Sequence, residues 1–236
     1  MGRSESTTPR RKPVGQPTWL PLFLYAVCLP QRSIIYVDGF NLYYGAIKGT
    51  PHKWLNLQRL FELLRQDDDI QAIRYFTALM NGSKAQRQQT YLRALATCPK
   101  VEVILGRFKE KRIACGVRGC TYPGPRFFNK PEEKRTDVGI AVALLDDAYR
   151  DLADRFVLVT GDSDLVPAVS MVKTRFPHKQ IVVYVPSRNL IRGAAVELRS
   201  AADKDRDLPL VLLPRCQFPA SLPDGVGGLI HKPAEW

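Results

Sequence analysis

Short runs of β-branched and aromatic residues recur along this chain, each followed by a stretch whose apolar residues return at helical spacing, and this alternation constrains the fold most. It is what parallel strands require, because parallel neighbours are joined only by a crossover long enough to hold a helix. Strands are predicted at Ile34–Val37, Ala72–Thr77, Val101–Leu105, Phe156–Thr160, Ile181–Val185 and Leu208–Leu213. Helices are predicted from Asn56, a suitable N-cap, from Ser83 towards Thr97 with Pro99 beyond its end, from Leu165 towards Phe176 and from Asn189 towards Ala202. The most regular helix follows Thr136, a candidate cap, with Val138, Ala141, Val142, Leu145, Ala148, Tyr149 and Leu152 spaced as one apolar stripe. Residues 106–130, punctuated by glycine and proline, are read as a loop or hairpin insertion. The predicted class is α/β, a three-layer αβα sandwich with a mostly parallel central sheet and right-handed crossovers. The chain's 236 residues suffice for one such domain, assigned to residues 33–213. Residues 1–32 are assigned to a disordered basic extension and residues 214–236, rich in proline and glycine, to a loose tail.

Charge narrows the partners. The net charge is +12, and residues 84–135 alone carry 13 basic against 4 acidic side chains. A basic excess gathered in one region attracts polyanions, nucleic acid foremost. An apolar run, Trp19–Leu29, follows Arg10, Arg11 and Lys12, but Pro21 interrupts it and no small-residue cleavage pattern follows. A helical membrane span needs about 20 apolar residues, so no membrane segment is expected. Five scattered cysteines argue against a disulfide framework and favour a reducing, cytoplasmic setting. Cys115 and Cys120 have the spacing of half a zinc site without a second pair nearby.

Ligands of open α/β sheets sit beyond the carboxyl ends of the strands. Asp38 directly follows the first predicted strand, Asp162 and Asp164 follow the strand ending at Thr160, and Asp137 opens the regular helix. Each has a local explanation: Asp38 as a turn residue, Asp137 at a helix N-terminus, Asp162 as a cap. Convergence of all four, however, is most readily explained by a divalent cation, since clustered carboxylates repel one another until a cation compensates. An all-oxygen set suits Mg²⁺ or Mn²⁺. Lys130, Lys134 and Arg135, just before Asp137, are candidate phosphate contacts, and Tyr43, Tyr44, Phe127 and Phe128 are candidate stacking platforms.

Three blocks, Ile34-Ile35-Tyr36-Val37-Asp38-Gly39-Phe40-Asn41-Leu42, Lys134-Arg135-Thr136-Asp137-Val138 and Val157-Leu158-Val159-Thr160-Gly161-Asp162-Ser163-Asp164-Leu165-Val166-Pro167, together resemble the NYN-domain family of PIN-like ribonucleases over roughly residues 33–213. The resemblance implies a PIN-like, Rossmannoid sandwich in which Asp38, Asp137, Asp162 and Asp164 hold divalent metal, Asn41 orients the site and RNA is the substrate. Asp38 and Asp162 are expected as inner ligands. Metal-activated water would then attack phosphorus in line, with a second cation stabilising the leaving oxygen. Thr136 and Leu165 depart from residues often serine or glycine and phenylalanine in relatives, without touching a carboxylate.

A haloacid-dehalogenase-like phosphatase would need a second aspartate where Phe40 stands. A non-catalytic RNA-binding or regulatory module on the same fold is the stronger rival, since fold does not fix function. No dinucleotide-binding or P-loop glycine pattern follows any strand. A basic surface admits DNA as well as RNA, and a homo-oligomer is compatible with the sequence.

Overall fold

The computed structural model describes residues 30–82, 85–188 and 195–236, excepting the side chains of residues 130–133. The chain runs through β1 (Gln31–Asp38), α1 (Gly39–Leu42), a π-helical turn (Tyr43–Ile47), α2 (Leu57–Leu64), β2 (Asp68–Thr77), α3 (Ala85–Ala96), β3 (Val101–Leu105), β4 (Arg107–Ala114), β5 (Phe127–Lys134) and α4 (Thr136–Tyr149). It continues through β6 (Arg155–Val159), a 3-10 turn (Ser163–Leu165), α5 (Val166–Arg175), β7 (Gln180–Val185), α6 (Val196–Ala201), β8 (Lys204–Asp207), a 3-10 segment (Leu210–Cys216), β9 (Ser221–Pro223) and β10 (Leu229–His231).

Six strands form one parallel sheet in the order β3-β2-β1-β6-β7-β8. Because side chains alternate across a strand, each central strand supplies both faces. Ile35, Val37, Val157, Val159, Val182 and Tyr184 enter one core with α2 and α3. Ile34, Tyr36, Phe156, Leu158, Ile181 and Val183 enter the other with α4, α5 and α6. The three-layer sandwich is thus present, and strands buried on both faces explain the unbroken apolar runs that marked them.

Several local expectations are corrected. The first strand begins at Gln31, two residues before the assigned domain start, because Arg32 is held by Asp154. Residues 1–29, Ser83 and the start of the helix expected at Asn189 lie outside the described residues; that helix is described from Val196 to Ala201. On α4 the residues facing the core are Ile140, Leu144 and Ala148, whereas Val138 and Val142 of the predicted stripe are 67% and 59% exposed. The helix has apolar side chains on two faces, so periodicity located the helix but not its buried side. Thr136 is its first residue, and the cap position belongs to Arg135 in the left-handed region (φ 81°). The strand expected at Leu208–Leu213 is replaced by β8 and the 3-10 segment.

The tail is not loose. Cys216, Phe218, Leu222 and Ile230 are buried, and β9 pairs antiparallel with β10. Trp54 donates Nε1–H to the Pro219 carbonyl at 2.8 Å and meets the rings of Phe218 and Trp236 at 5.6 and 6.1 Å. These apolar residues have no period of their own and find their partner far back in the chain, Trp54 and Pro219 being 165 residues apart. Among the described residues no helix is long and apolar enough to cross a membrane.

Candidate active site

β1 and β6 lie side by side at the centre of the sheet, but β1 is followed in sequence by β2 on one side and β6 by β7 on the other. Crossovers therefore diverge at their carboxyl ends, leaving the crevice where ligands of such sheets bind. Asp38 ends β1 there. It is 2% exposed. Its Oδ1 accepts the backbone N–H of Phe40 and of Asn41, both at 3.0 Å, capping α1; its Oδ2 accepts Asn41 Nδ2–H at 2.6 Å and the Thr160 hydroxyl at 3.1 Å. Burial pushes its carboxyl above the usual range, and these hydrogen bonds pull it back.

The same donors tie the second acidic segment to the first. Asn41 Oδ1 accepts Gly161 N–H at 3.2 Å, so one amide bridges the ends of β1 and β6. Thr160 Oγ1 accepts Asp162 N–H at 3.1 Å while donating to Asp38. Asp162 Oδ1 in turn caps the 3-10 turn by accepting Asp164 N–H at 3.0 Å. The local capping roles read from sequence are real, and they are also what aims these groups at one crevice. Gly39 is obligatory here for a contact reason: a Cβ would stand 2.7 Å from the Tyr75 hydroxyl and 2.8 Å from the Phe76 carbonyl.

Asp137 reaches the crevice from the first turn of α4. Burial, then repulsion from Asp162, Asp38 and Asp164, raises its carboxyl to about 6. Asp137 therefore senses the other three carboxylates, and among the described residues none of the four forms an ion pair. They are not gathered into a ready cage: no group of three acidic, histidine or cysteine side chains is close enough to hold a metal, among the described residues.

The insertion between β3 and α4 is a two-stranded hairpin, β4 against β5, leaving from the same edge of the sheet. Arg107, Lys109, Lys111 and Arg112 are exposed along β4, and Phe108 packs edge-on against Phe40, two residues past Asp38, with centroids 5.5 Å apart. Lys134 and Arg135 are exposed where the hairpin runs into α4, while Lys130 pairs through its backbone opposite Lys111, its side chain outside the described set. Phe127 and Phe128 are exposed on β5, with Arg112 lying 4.4 Å over the Phe127 ring. Sequence reasoning singled out every carboxylate and Asn41 but gave no role to Thr160; a hydroxyl directly after an apolar strand and two residues before an aspartate was the available signal.

The sequence profile of the NYN domain matches residues 32–208, three quarters of the chain and all of the parallel sheet but Gln31. The chain belongs to the NYN domain family. NYN domains are generally nucleases, which places this one with enzymes of nuclease type and RNA-related function. Over 240 aligned residues this NYN domain protein is 31% identical to 6-hydroxy-3-succinoylpyridine 3-monooxygenase of Pseudomonas putida, covering 88% of this chain and 76% of that one. It is also similar to a solved protein of unknown function from Vibrio parahaemolyticus, with 20% identity, a TM-score of 0.49, and coverage of 77% of this chain and 94% of the other.

Proposed function

We propose that this NYN domain is a divalent-metal-dependent ribonuclease, with Asp38, Asp137, Asp162 and Asp164 as its acidic centre. One observation carries the reading: a half-buried Asp137 raised to about 6 by burial and then by three neighbouring carboxylates, with no cation paired to any of them among the described residues. Such a surplus of negative charge fits an all-oxygen site for Mg²⁺ or Mn²⁺. Asp137, Asp162 and Asp164 would supply oxygens to the ion, their carboxylates drawn closer together than they stand. Asp38, each of whose oxygens already accepts two hydrogen bonds, contributes its charge and anchors Asn41 and Thr160. This shifts the inner-ligand role expected of Asp38 towards positioning.

When bound, the cation supplies Lewis acidity at the phosphoryl group and a more acidic water. The protein's own part is orientation and charge. Asn41 and Thr160 keep the ends of β1 and β6 in register, so that Asp162 cannot move independently of Asp38. Lys130, Lys134, Arg135 and the basic face of β4 neutralise flanking phosphates, and the hairpin guides the strand to the crevice. The unpaired cysteines Cys98, Cys115, Cys120 and Cys216 support a reducing, cytoplasmic setting.

The test is incubation of purified protein with single-stranded RNA, structured RNA and DNA, each with Mg²⁺, Mn²⁺ or chelator. Cleavage of RNA that needs metal and is abolished in Asp162→Asn is expected; cleavage unchanged by either treatment sinks the mechanism. A second reading, hydroxylation of a small aromatic acid, is favoured by the name of the Pseudomonas relative. Oxygen uptake with that pyridine and a reduced nicotinamide, without RNA cleavage, would decide for it.

A further inference from the structure

One residue beyond the acidic crevice the chemistry of the surface reverses. A cavity of about 330 Å³ opens there, sharing Gly39 and Phe40 with the Asp38 turn and bounded by the π-helical turn, the end of β2, α3 and the returning tail. Its volume is at the lower end of the roughly 300–1,000 Å³ typical of small-ligand sites. Six of its lining residues are aromatic, three are basic and none is acidic. Aromatic walls with a few cations suit a planar ring carrying an anionic group.

The cations are not equivalent. Arg87 is engaged by Glu235 at 3.3 Å. Lys48 lies 4.8 Å over the Tyr44 ring. Lys53 is half-buried and has no hydrogen bond or ion pair among the described residues, although burial of an unpaired ammonium is unfavourable. Tyr43 and Tyr44, presented together by the π-helical turn with centroids 5.2 Å apart, are partly exposed at the same cavity. Turns of this type recur at functional sites.

We propose that this cavity is the seat of one unpaired nucleotide, its base against Tyr43, Tyr44 and Trp236 and its phosphate on Lys48 and Lys53. The seat rests on the ribonuclease reading for its purpose, which is to hold the nucleotide beside the phosphodiester presented to the carboxylates. It makes the enzyme selective for unpaired strands, because a base can enter the cavity only when it is not stacked in a duplex.

The experiment is calorimetric titration of the full-length Asp162→Asn protein, in chelator, with adenosine 5′-monophosphate, uridine 5′-monophosphate and pyridine-3-carboxylate. One-to-one binding of the nucleotides is expected, weakened about tenfold in each of Lys53→Ala and Tyr44→Ala, the scale of one lost stacking or charge contact. Both substitutions are at incompletely buried positions and leave the core intact. No nucleotide binding, binding unchanged by both substitutions, or tighter binding of the pyridine acid than of either nucleotide would overturn the seat. Nucleotide binding that depends on Lys53, in a protein showing no Asp162-dependent cleavage, keeps the seat and removes the ribonuclease. Asp162-dependent cleavage without such binding does the reverse.

Discussion

The two ends of the sheet treat acidic side chains in opposite ways. At the amino ends of the strands carboxylates are paired with cations. Asp154 receives Arg32 through both Nε and Nη2, at 3.1 and 2.7 Å. The exposed Asp151 pairs with the buried Lys179 at 2.6 Å, and Asp68, its side chain fully buried, lies between Arg65 and Arg155. At the carboxyl ends Asp38, Asp137, Asp162 and Asp164 have hydrogen bonds and one another, but no ion pair among the described residues. One end has its charge compensated as it stands; the other would have its charge compensated by the proposed cation. Perturbed carboxylates clustered in a crevice are the usual mark of a functional site, whereas compensated pairs are the mark of structure.

The comparison breaks most visibly if Asp162→Asn does not separate activity from stability. We expect it to lower the rate of metal-dependent RNA cleavage by about 10³-fold or more, roughly 4 kcal/mol in the barrier, while the melting temperature stays level or rises as repulsion is relieved. Parallel cleavage assays and thermal melts check both halves. At the other end the outcome inverts. Asp68→Ala leaves Arg65 and Arg155 without their buried partner and is expected to cost about 3–5 kcal/mol, as broken buried pairs do, read as a drop in urea midpoint. The specific activity of whatever folds should be unaltered.

Acid sharpens the contrast. Asp137 has its folded value raised to about 6, so its contribution to stability is present below the unfolded carboxylate value and is lost as pH rises through about 6. Asp151 and Asp154 have folded values lowered by Lys179 and Arg32; their contribution is present above the unfolded value and lost only as pH falls through the lowered values. Melting temperature should therefore rise as pH is taken from 7 to 5, and that rise should shrink in Asp137→Asn, the raised Asp38 and Asp147 carboxyls acting in the same direction. Mn²⁺ should stabilise the wild type at pH 7 more than at pH 5, because protons and cation compete for the same oxygens. The smallest effect is expected on the hairpin: Lys109→Gln with Arg107→Gln should weaken RNA binding severalfold and flatten the salt dependence by up to about 0.7 per lost phosphate contact, measured by filter binding across a salt series.

How much of this was legible in the sequence depends on how far apart the cooperating residues lie. Asp38, Asp162 and Asp164 could be placed at strand ends because a strand and the residue after it are contiguous, and their capping roles are local as well. Asn41 could be assigned to the site but not its bridge to Gly161, 120 residues away. Thr160 was unassigned for the same reason, its partner Asp38 lying 122 residues earlier. On α4 periodicity offered two apolar faces, and only packing against β1 and β2 selected Ile140 and Leu144 over Val138 and Val142. The tail looked loose because proline and glycine dominate it, yet Phe218, Leu222, Ile230 and Trp236 complete a core around Trp54.

By itself, then, the sequence determined the alternation of strand and helix, the single parallel sheet and the positions of the acidic residues along it, since these follow from period, propensity and chain adjacency. The tertiary structure alone decided that Asp137 feels the other three carboxylates with no cation paired to them among the described residues, that the basic hairpin leaves from the same edge, and that a tail, a π-helical turn and two helices close an aromatic, basic cavity beside them. Electrostatic repulsion and cavity walls depend on distances across the fold, and no local pattern encodes them.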